Sequence, residues 1–324
     1  MKVLLSVVML VFVGNCAGSS PAHHELAPTM ERIYQALNVL LADVVVKEKF
    51  DSLERRYAIL DEIKTLRDLS HDLKDGQLEG LRDPSMVILS GNLRKGLDTA
   101  YEDFRNNYRE SSREKVRSIV SVCVSCHSSS SDGPLFAERL FDPSKLPLND
   151  FERAQFYVAS RQFSKALGLY SKVISEKTSP SKHYWAWSNA VREALSITIR
   201  NQYDRVSTSQ IVDAVIENEN SPRPFRKNAF AWRVSLKAWS KDLEAESQTS
   251  SEQLRKANAL FEFAKRLQRF PSDRNADIYY LRAAYYFAKV LMSGDTAERS
   301  AALDKVKSCE NVLSIENGIL FYYE

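Results

Sequence analysis

The stretch VRSIVSVCVSCH, residues 116–127, carries an apolar helical stripe and ends in the pentapeptide Cys-Val-Ser-Cys-His. The C-x-x-C-H spacing is the attachment signature of a c-type haem. Cys123 and Cys126 lie one helical turn apart, so each thiol can add to a vinyl group of the same porphyrin. His127, directly after the second thiol, is then held beneath the iron as its proximal ligand. The sequence therefore predicts one covalently bound haem c.

Two other interpretations of the paired thiols fit the sequence less well. A thioredoxin-like redox pair is expected at a strand-to-helix turn in a βαβ pattern, and no such pattern is visible. A zinc site requires a second pair of ligands at suitable spacing, whereas Cys309 and His183 are isolated in the sequence. With only four cysteines in the chain, a chance match to this spacing is rare.

The first residues predict export from the cytoplasm. Residues 3–13 form an apolar run after a short positive start, long enough for the core of a signal peptide and too short for a transmembrane helix. Cleavage before Cys16 resembles processing at a bacterial lipobox, although Asn15 departs from the usual small residue there. Cleavage after Ala17 or Ala22 would instead release a soluble protein. We expect a periplasmic location, with a lipid anchor on Cys16 in the first case.

Composition indicates an all-α chain without a nucleic-acid footprint. The 324 residues suffice for two domains, and only ten glycines and ten prolines interrupt a chain rich in helix-forming residues. Lys and Arg number 45 against 42 Asp and Glu, without the clustered basic face that nucleic-acid binding requires. No nucleophile triad, phosphate loop or pair of carboxylates stands out, so no enzyme is predicted.

Residues 23–131 are predicted to form four amphipathic helices, preceded by a signal peptide and tether over residues 1–22. Each helix shows apolar residues at steps of three and four. Short links between helices of this length favour an up-down-up-down bundle. The four stripes are Leu26, Met30, Ile33, Leu37, Leu40 and Val44; Phe50, Leu53, Tyr57, Leu60 and Ile63; Leu89, Leu93, Leu97, Tyr101, Phe104 and Tyr108; and Val116, Ile119, Val120 and Cys123.

In such a bundle the first and fourth helices are antiparallel, so Met30 and His127 lie at the same end. With this arrangement the sequence resembles the cytochrome c-prime family, the four-helix class II cytochromes c, and in particular its low-spin Met/His members. The resemblance covers residues 25–128, about a third of the chain. It implies that Met30 is the distal iron ligand and that the haem transfers electrons.

Other residues compete for these roles. Met30 can equally be a core methionine that fills a gap. His71, at the end of the second helix, is an alternative distal ligand or a surface histidine, and Met86 would have to reach the iron from a turn. Two roles are compatible with the spacing of Tyr101, Tyr108 and Arg94. They can contact the edge of the haem, or they can be ordinary core and surface residues.

Beyond a linker at residues 132–148, residues 149–324 are predicted to form a degenerate helical repeat region similar to tetratricopeptide repeats. Small residues let paired helices approach, and aromatic residues fill the space between pairs. Such a solenoid offers a concave surface to a protein partner, or else it only braces the bundle. Cys309 is expected to be a small buried residue. The pattern is carried by Ala154, Tyr157, Ala166, Tyr170, Pro180, Ala257, Phe261, Ala264 and Pro271.

The sequence thus predicts an exported mono-haem electron-transfer protein. It would depend on the cytochrome c maturation machinery for haem attachment and dock a redox partner through the helical repeats. A haem-based gas binder or sensor is the alternative if Met30 does not ligate iron. A third hypothesis is an interaction scaffold in which the haem is structural.

Overall fold

The computed structural model describes residues 21–73, 84–129, 143–242, 249–270 and 273–315. Within these ranges all regular structure is helical and no strand occurs, which confirms the all-α class. None of the helices in these ranges has the length and apolarity needed to cross a bilayer. Cys16 and most of the predicted linker lie outside the described residues.

The N-terminal part of the chain contains four long helices and one short helix. Helix α1 begins at Pro21, before the predicted start at residue 23, and includes Pro28. The bounds are α1 (Pro21–Val44), α2 (Lys47–Phe50), α3 (Arg56–His71), α4 (Pro84–Arg105) and α5 (Arg109–Ser129).

The four long helices enclose a first apolar core, and most of the predicted stripes face it. The prediction of the second stripe is partly wrong, because the chain turns between α2 and α3. Leu53 is 77% exposed and Tyr57 is 82% exposed. The buried stripe of α3 instead runs through Ile59, Ile63 and Leu66. Tyr108 is also exposed, because it lies in the turn between α4 and α5.

Two side-chain hydrogen bonds fix the relative direction of these helices. The Ser112 hydroxyl donates to the carbonyl of Ala100 at 2.7 Å, so α4 and α5 run antiparallel from their connecting turn. The Arg113 guanidinium donates to the carbonyl of Val44 at 2.8 Å, so the end of α1 lies beside the start of α5. Tyr34 of α1 bonds to Ser160 and His127 of α5 bonds to the neighbouring Ala159, so the N-terminal half of α1 lies near the end of α5.

The C-terminal part consists of consecutive helices with two π-helical segments, Ile197–Asn201 and Asn311–Ile315. The α-helices are α6 (Asp150–Ala159), α7 (Phe163–Ser175), α8 (Ser179–Lys182), α9 (Tyr184–Ser196), α10 (Arg205–Glu217), α11 (Arg223–Asp242), α12 (Ser250–Leu267), α13 (Asp277–Ser293) and α14 (Thr296–Glu310).

Neighbouring helices of this part pack pairwise around two further apolar cores. Ala154, Ala166 and Ala257 are completely buried, as expected of the small positions that let helices approach. Cys309 is also completely buried, which confirms the prediction of a small core residue. Helices α13 and α14 form the last helix pair among the described residues.

The two parts of the chain share their cores across the predicted linker. Phe156 of α6 is buried in the first core, and its ring centroid lies 5.9 Å from that of Tyr34 in α1. In return, Val124 of α5 is buried in the second core. An ion pair between Arg117 and Glu152 joins the same two helices, α5 and α6. The N-terminal helices therefore depend on α6 for part of their core.

We expect Phe156→Ala to lower the free energy of unfolding by about 3–5 kcal/mol, the usual cost of truncating a buried phenylalanine. The loss should affect the N-terminal helices, since Phe156 fills their core. Urea denaturation measures the change, and Phe230→Ala, at a half-exposed position, is the control. Equal stability of the two variants would show that the first core is closed without α6.

The environment of the Glu193 carboxyl predicts that the free energy of unfolding depends on pH in a specific way. Its carboxylate accepts hydrogen bonds from Tyr170 and, at 2.9 Å, from Gln155, while desolvation raises its pKa from 4.5 to about 7. A carboxyl whose pKa is higher in the folded state stabilises the fold when protonated. This contribution is complete below pH 4.5 and is lost as the pH rises towards 7.

Between these pH values wild-type protein should therefore lose stability relative to Glu193→Gln, which cannot ionise. The expected slope is about 1.4 kcal/mol per pH unit for one proton. Urea denaturation at pH 5 and pH 8 measures it. Desolvation also raises the pKa of Asp277 to about 7. Asp277 is present in both proteins, so its contribution to the pH dependence cancels in the comparison. Parallel pH profiles for the two proteins would contradict the assignment.

Candidate haem-attachment site

The predicted attachment residues lie on the last two turns of α5. The stripe of Val116, Ile119 and Val120 buries one face of this helix in the first core. The same periodicity brings Cys123 to that core and places His127 one turn beyond it, because residues four apart share a helix face. Helix α5 ends at Ser129, just after the pentapeptide.

Cys123 is half-buried and packs against the first core, as does Met30 of α1. No disulfide joins Cys123 to Cys126. Desolvation raises the pKa of the Cys123 thiol to about 12, so the thiol is neutral at pH 7. Zinc ligation and disulfide exchange use a thiolate and are found where the thiol pKa is lowered. This environment suits an uncharged, packed sulfur atom.

The contacts of α1 and α5 place Met30 and His127 towards the same end of the helix pair. Met30 precedes Val44 by 14 residues, and His127 follows Arg113 by 14 residues, while Val44 and Arg113 are hydrogen-bonded to each other. At 1.5 Å per residue, both lie about 21 Å from that contact along antiparallel helices. Met30 and His127 thus belong to the same end of the helix pair.

His127 is half-buried, and its ring bonds to the main chain of Ala159 and Val158 at the end of α6. Desolvation, reinforced by the nearby charge of Arg161, lowers the pKa of His127 to about 4. The imidazole is therefore neutral at pH 7, the form that binds metals. Its described contacts lie with the C-terminal part of the chain, which sequence reasoning did not predict.

Helix α6 covers the gap between α1 and α5 at this level. Tyr34, one turn after Met30, is buried and hydrogen-bonds to Ser160 and Asn38. Desolvation raises the pKa of the Tyr34 phenol. Tyr34 directly follows Ile33 of the apolar stripe, which is a weak signal for its position. No signal marks Ser160, which is 126 residues away along the chain.

Other candidates from the sequence lie outside this cluster. His71 is exposed, and its Nε2 lies 3.0 Å from Oδ1 of Asp98. Tyr101 lies under the guanidinium of Arg67, 4.2 Å from its ring centroid. Since Ala100 pairs with Ser112, Tyr101 is level with the start of α5, about 18 Å from Cys123 along the axis.

Tyr108 precedes α5 and is even farther from the thiols. The Arg94 guanidinium donates to the carbonyl of Leu73 at 3.3 Å. The side chain of Met86 lies outside the described residues. Of the proposed ligands and edge contacts, the arrangement therefore brings Cys123, Cys126, His127 and Met30 to one end of the molecule, and not His71, Tyr101 or Tyr108.

The donor set contains the groups that covalent haem c requires. It comprises two thiols a turn apart, a neutral imidazole next to the second thiol and a thioether in the same apolar core as the first. Nδ1 of His127 has no hydrogen-bond partner, so Nε2 makes the bonds to the main chain of α6 and would have to leave them to bind iron. Within the described ranges, no group of three or more His, Cys, Asp or Glu side chains has the geometry to hold a bare metal ion. Haem requires only axial ligands, because the porphyrin supplies the other four.

Comparison with protein-family models, curated proteins and solved structures finds no match to this chain. The resemblance to the cytochrome c-prime family therefore stays a prediction that depends on the motif and on the position of Met30.

Proposed function

We propose that this protein is an exported mono-haem c-type cytochrome that transfers electrons. The single observation that carries the proposal is the grouping of Cys123, Cys126, His127 and Met30 at one end of the N-terminal helices. These helices run as an up-down-up-down bundle in the proposed architecture, followed by a solenoid of helix pairs similar to tetratricopeptide repeats. The pairwise packing of consecutive helices supports this architecture.

Each residue of the group has a distinct role in the proposal. Cys123 and Cys126 attach the porphyrin, His127 is the proximal iron ligand, and Met30 is the distal ligand. The haem supplies the one-electron couple when bound. The chain holds both axial ligands on packed helices, and the apolar core around Met30 and Cys123 excludes water. A thioether ligand in such surroundings favours the reduced state and a high reduction potential.

Covalent attachment is the first test. Protein produced with the maturation machinery should keep its colour after acid–acetone extraction, whereas Cys123→Ala/Cys126→Ala should lose the haem. Cys309→Ser, which alters a cysteine outside the motif, is the control and should keep it. A colourless wild-type protein after extraction would refute the proposal.

Met30→Ala tests the distal ligand. We expect the ferric protein to lose its far-red sulfur-to-iron charge-transfer band and to become high-spin, and the ferrous protein to bind CO, because the sixth position opens. The reduction potential should fall as the thioether is lost. The matched variant His71→Ala should change neither spectrum nor potential. If Met30→Ala is silent and wild-type protein already binds CO, the iron is five-coordinate and the gas-binding alternative takes precedence.

The exposed face of α11 is the proposed docking surface for an acidic redox partner. This docking face consists of Arg223, Lys227, Phe230, Val234 and Lys237, which fall on one side of the helix at spacings of three and four. Phe230 and Val234 are 50% and 67% exposed, and the three cations are exposed as well. An apolar centre flanked by like charges suits a partner of opposite charge, since charges steer encounter and apolar contact provides affinity.

Poly-L-glutamate serves as the acidic probe for this face. We expect R223E/K227E/K237E to weaken its binding to the holoprotein at low salt at least about tenfold, because three favourable charges become repulsive. The control K145E/K177E/K182E makes the same charge change at exposed lysines elsewhere. Equal weakening in both variants, or binding only to phosphatidylglycerol vesicles, would contradict a protein-docking role.

A further inference from the structure

Two large aromatic side chains lie next to each other on the surface at the start of α9. Trp185 is 42% exposed and the preceding Tyr184 is 50% exposed. The other three tryptophans of the chain, Trp187, Trp232 and Trp239, are buried in the second core. Single apolar residues are common on protein surfaces, whereas adjoining large ones mark contact sites. We call Tyr184 and Trp185 the aromatic edge.

Buried rings of two other helices hold the aromatic edge in place. The Trp185 ring lies edge-on to Phe151 at the start of α6, with ring centroids 5.5 Å apart. The Tyr184 ring lies edge-on to Phe225 of α11, with centroids 6.3 Å apart. Among the described contacts, the indole nitrogen of Trp185 and the phenol oxygen of Tyr184 have no hydrogen-bond partner. Both rings are therefore rigidly placed, and their polar atoms are available to a ligand.

Three exposed lysines surround the aromatic edge. Lys182 ends α8, three residues before Trp185, and Lys177 lies just before the same short helix. Lys172 pairs at 2.6 Å with Asp150, the neighbour of Phe151 in the chain, while its side chain remains 70% exposed. The lysines thus lie on both sides of the exposed rings.

Acidic residues do not balance this charge. Asp150 lies between Lys172 and Arg153, at 2.6 and 3.4 Å, so its charge is neutralised. Glu176 is the exposed carboxylate beside Lys177. The turn from α10 to α11 adds no net charge, because it carries two acidic and two basic residues, Glu217, Glu219, Arg223 and Arg226. The surroundings of the aromatic edge are therefore positive.

We propose that the aromatic edge binds the surface of an anionic lipid bilayer. Tryptophan and tyrosine are favoured at the level of the lipid headgroups, where the ring meets apolar chains and the polar atom stays hydrated or bonds to a headgroup. Lysines close to the bilayer attract anionic headgroups. A protein partner matches this site less well, since protein interfaces are depleted of lysine and enriched in arginine. The inference does not depend on haem.

Vesicle binding tests the proposal. The protein used is the chain from Pro21 onward, so that neither the predicted signal peptide nor acylation of Cys16 can supply the binding. At low salt it should sediment with phosphatidylglycerol vesicles and much less with phosphatidylcholine vesicles. Y184S/W185S should bind phosphatidylglycerol vesicles at least about tenfold more weakly, because the apolar contact is lost. The matched control L53S/Y57S removes more exposed apolar side chains elsewhere and should bind like wild type.

A second variant leaves the aromatic contacts with Phe151 and Phe225 intact. K177E/K182E should also weaken binding at least about tenfold, because two attractive charges become repulsive. The control K49E/K95E makes the same charge change at exposed lysines of the N-terminal part.

Trp185 also reports its own environment, because the other tryptophans are buried. Vesicle binding should shift its emission to shorter wavelength and protect it from acrylamide. Wild-type protein that binds both lipids equally, or a Y184S/W185S variant that binds like L53S/Y57S, would overturn the proposal. If Y184S/W185S weakens binding to poly-L-glutamate as much as binding to vesicles, the aromatic edge is a protein-docking site and the lipid assignment is wrong.

Discussion

The structure depends on helix α5 being buried on two sides in two different cores. Val120 and Cys123 face the N-terminal core, while Val124, one residue on, faces the core of the C-terminal helices. A helix with this pattern cannot rotate or slide without exposing one apolar face. The end of α5 is therefore held rigidly between the two parts of the chain, and this is the segment that carries both thiols and the histidine.

The consequence for function is that the proposed haem ligands are not held in place by the N-terminal helices alone. Met30 and Cys123 share one core, but the ring of His127 is held by the end of α6. The described contacts of the His127 ring lie at the start of the α6–α7 turn, at Val158 and Ala159. In the proposed cytochrome this turn joins the haem site to the helices that present the docking face.

Much of the helical pattern followed from sequence, because burial requires apolar residues at steps of three and four. The stripes of α1, α4 and α5 predicted core positions such as Leu37, Leu97 and Ile119. The predictions at Leu53 and Tyr57 were wrong because a periodic pattern continued across a turn that only tertiary packing reveals. The contacts of Phe156 and Arg161 could not be predicted, since nothing local marks which distant helix covers the end of α5.

In the candidate site, too, local features could be predicted from the sequence and contacts between distant helices could not. The proposed roles of Cys123, Cys126 and His127 could be predicted because the two thiols and the histidine lie close together in the sequence. The prediction that Met30 lies at the same end as these residues came from helix direction, and the contacts of α1 with α5 and α6 agree with it. The carbonyl of Ala159 is a main-chain group of another helix, and no sequence motif records it.

The most direct test of the account is the mass of the peptide that tryptic cleavage after Arg117 and Arg139 releases from the matured protein. This peptide contains Cys123, Cys126 and His127. We expect this peptide to carry the mass of one haem and neither of its cysteines to react with an alkylating reagent, while Cys309 becomes alkylated after unfolding. An unmodified peptide with two alkylated cysteines, from protein produced with an active maturation system, would contradict the central claim.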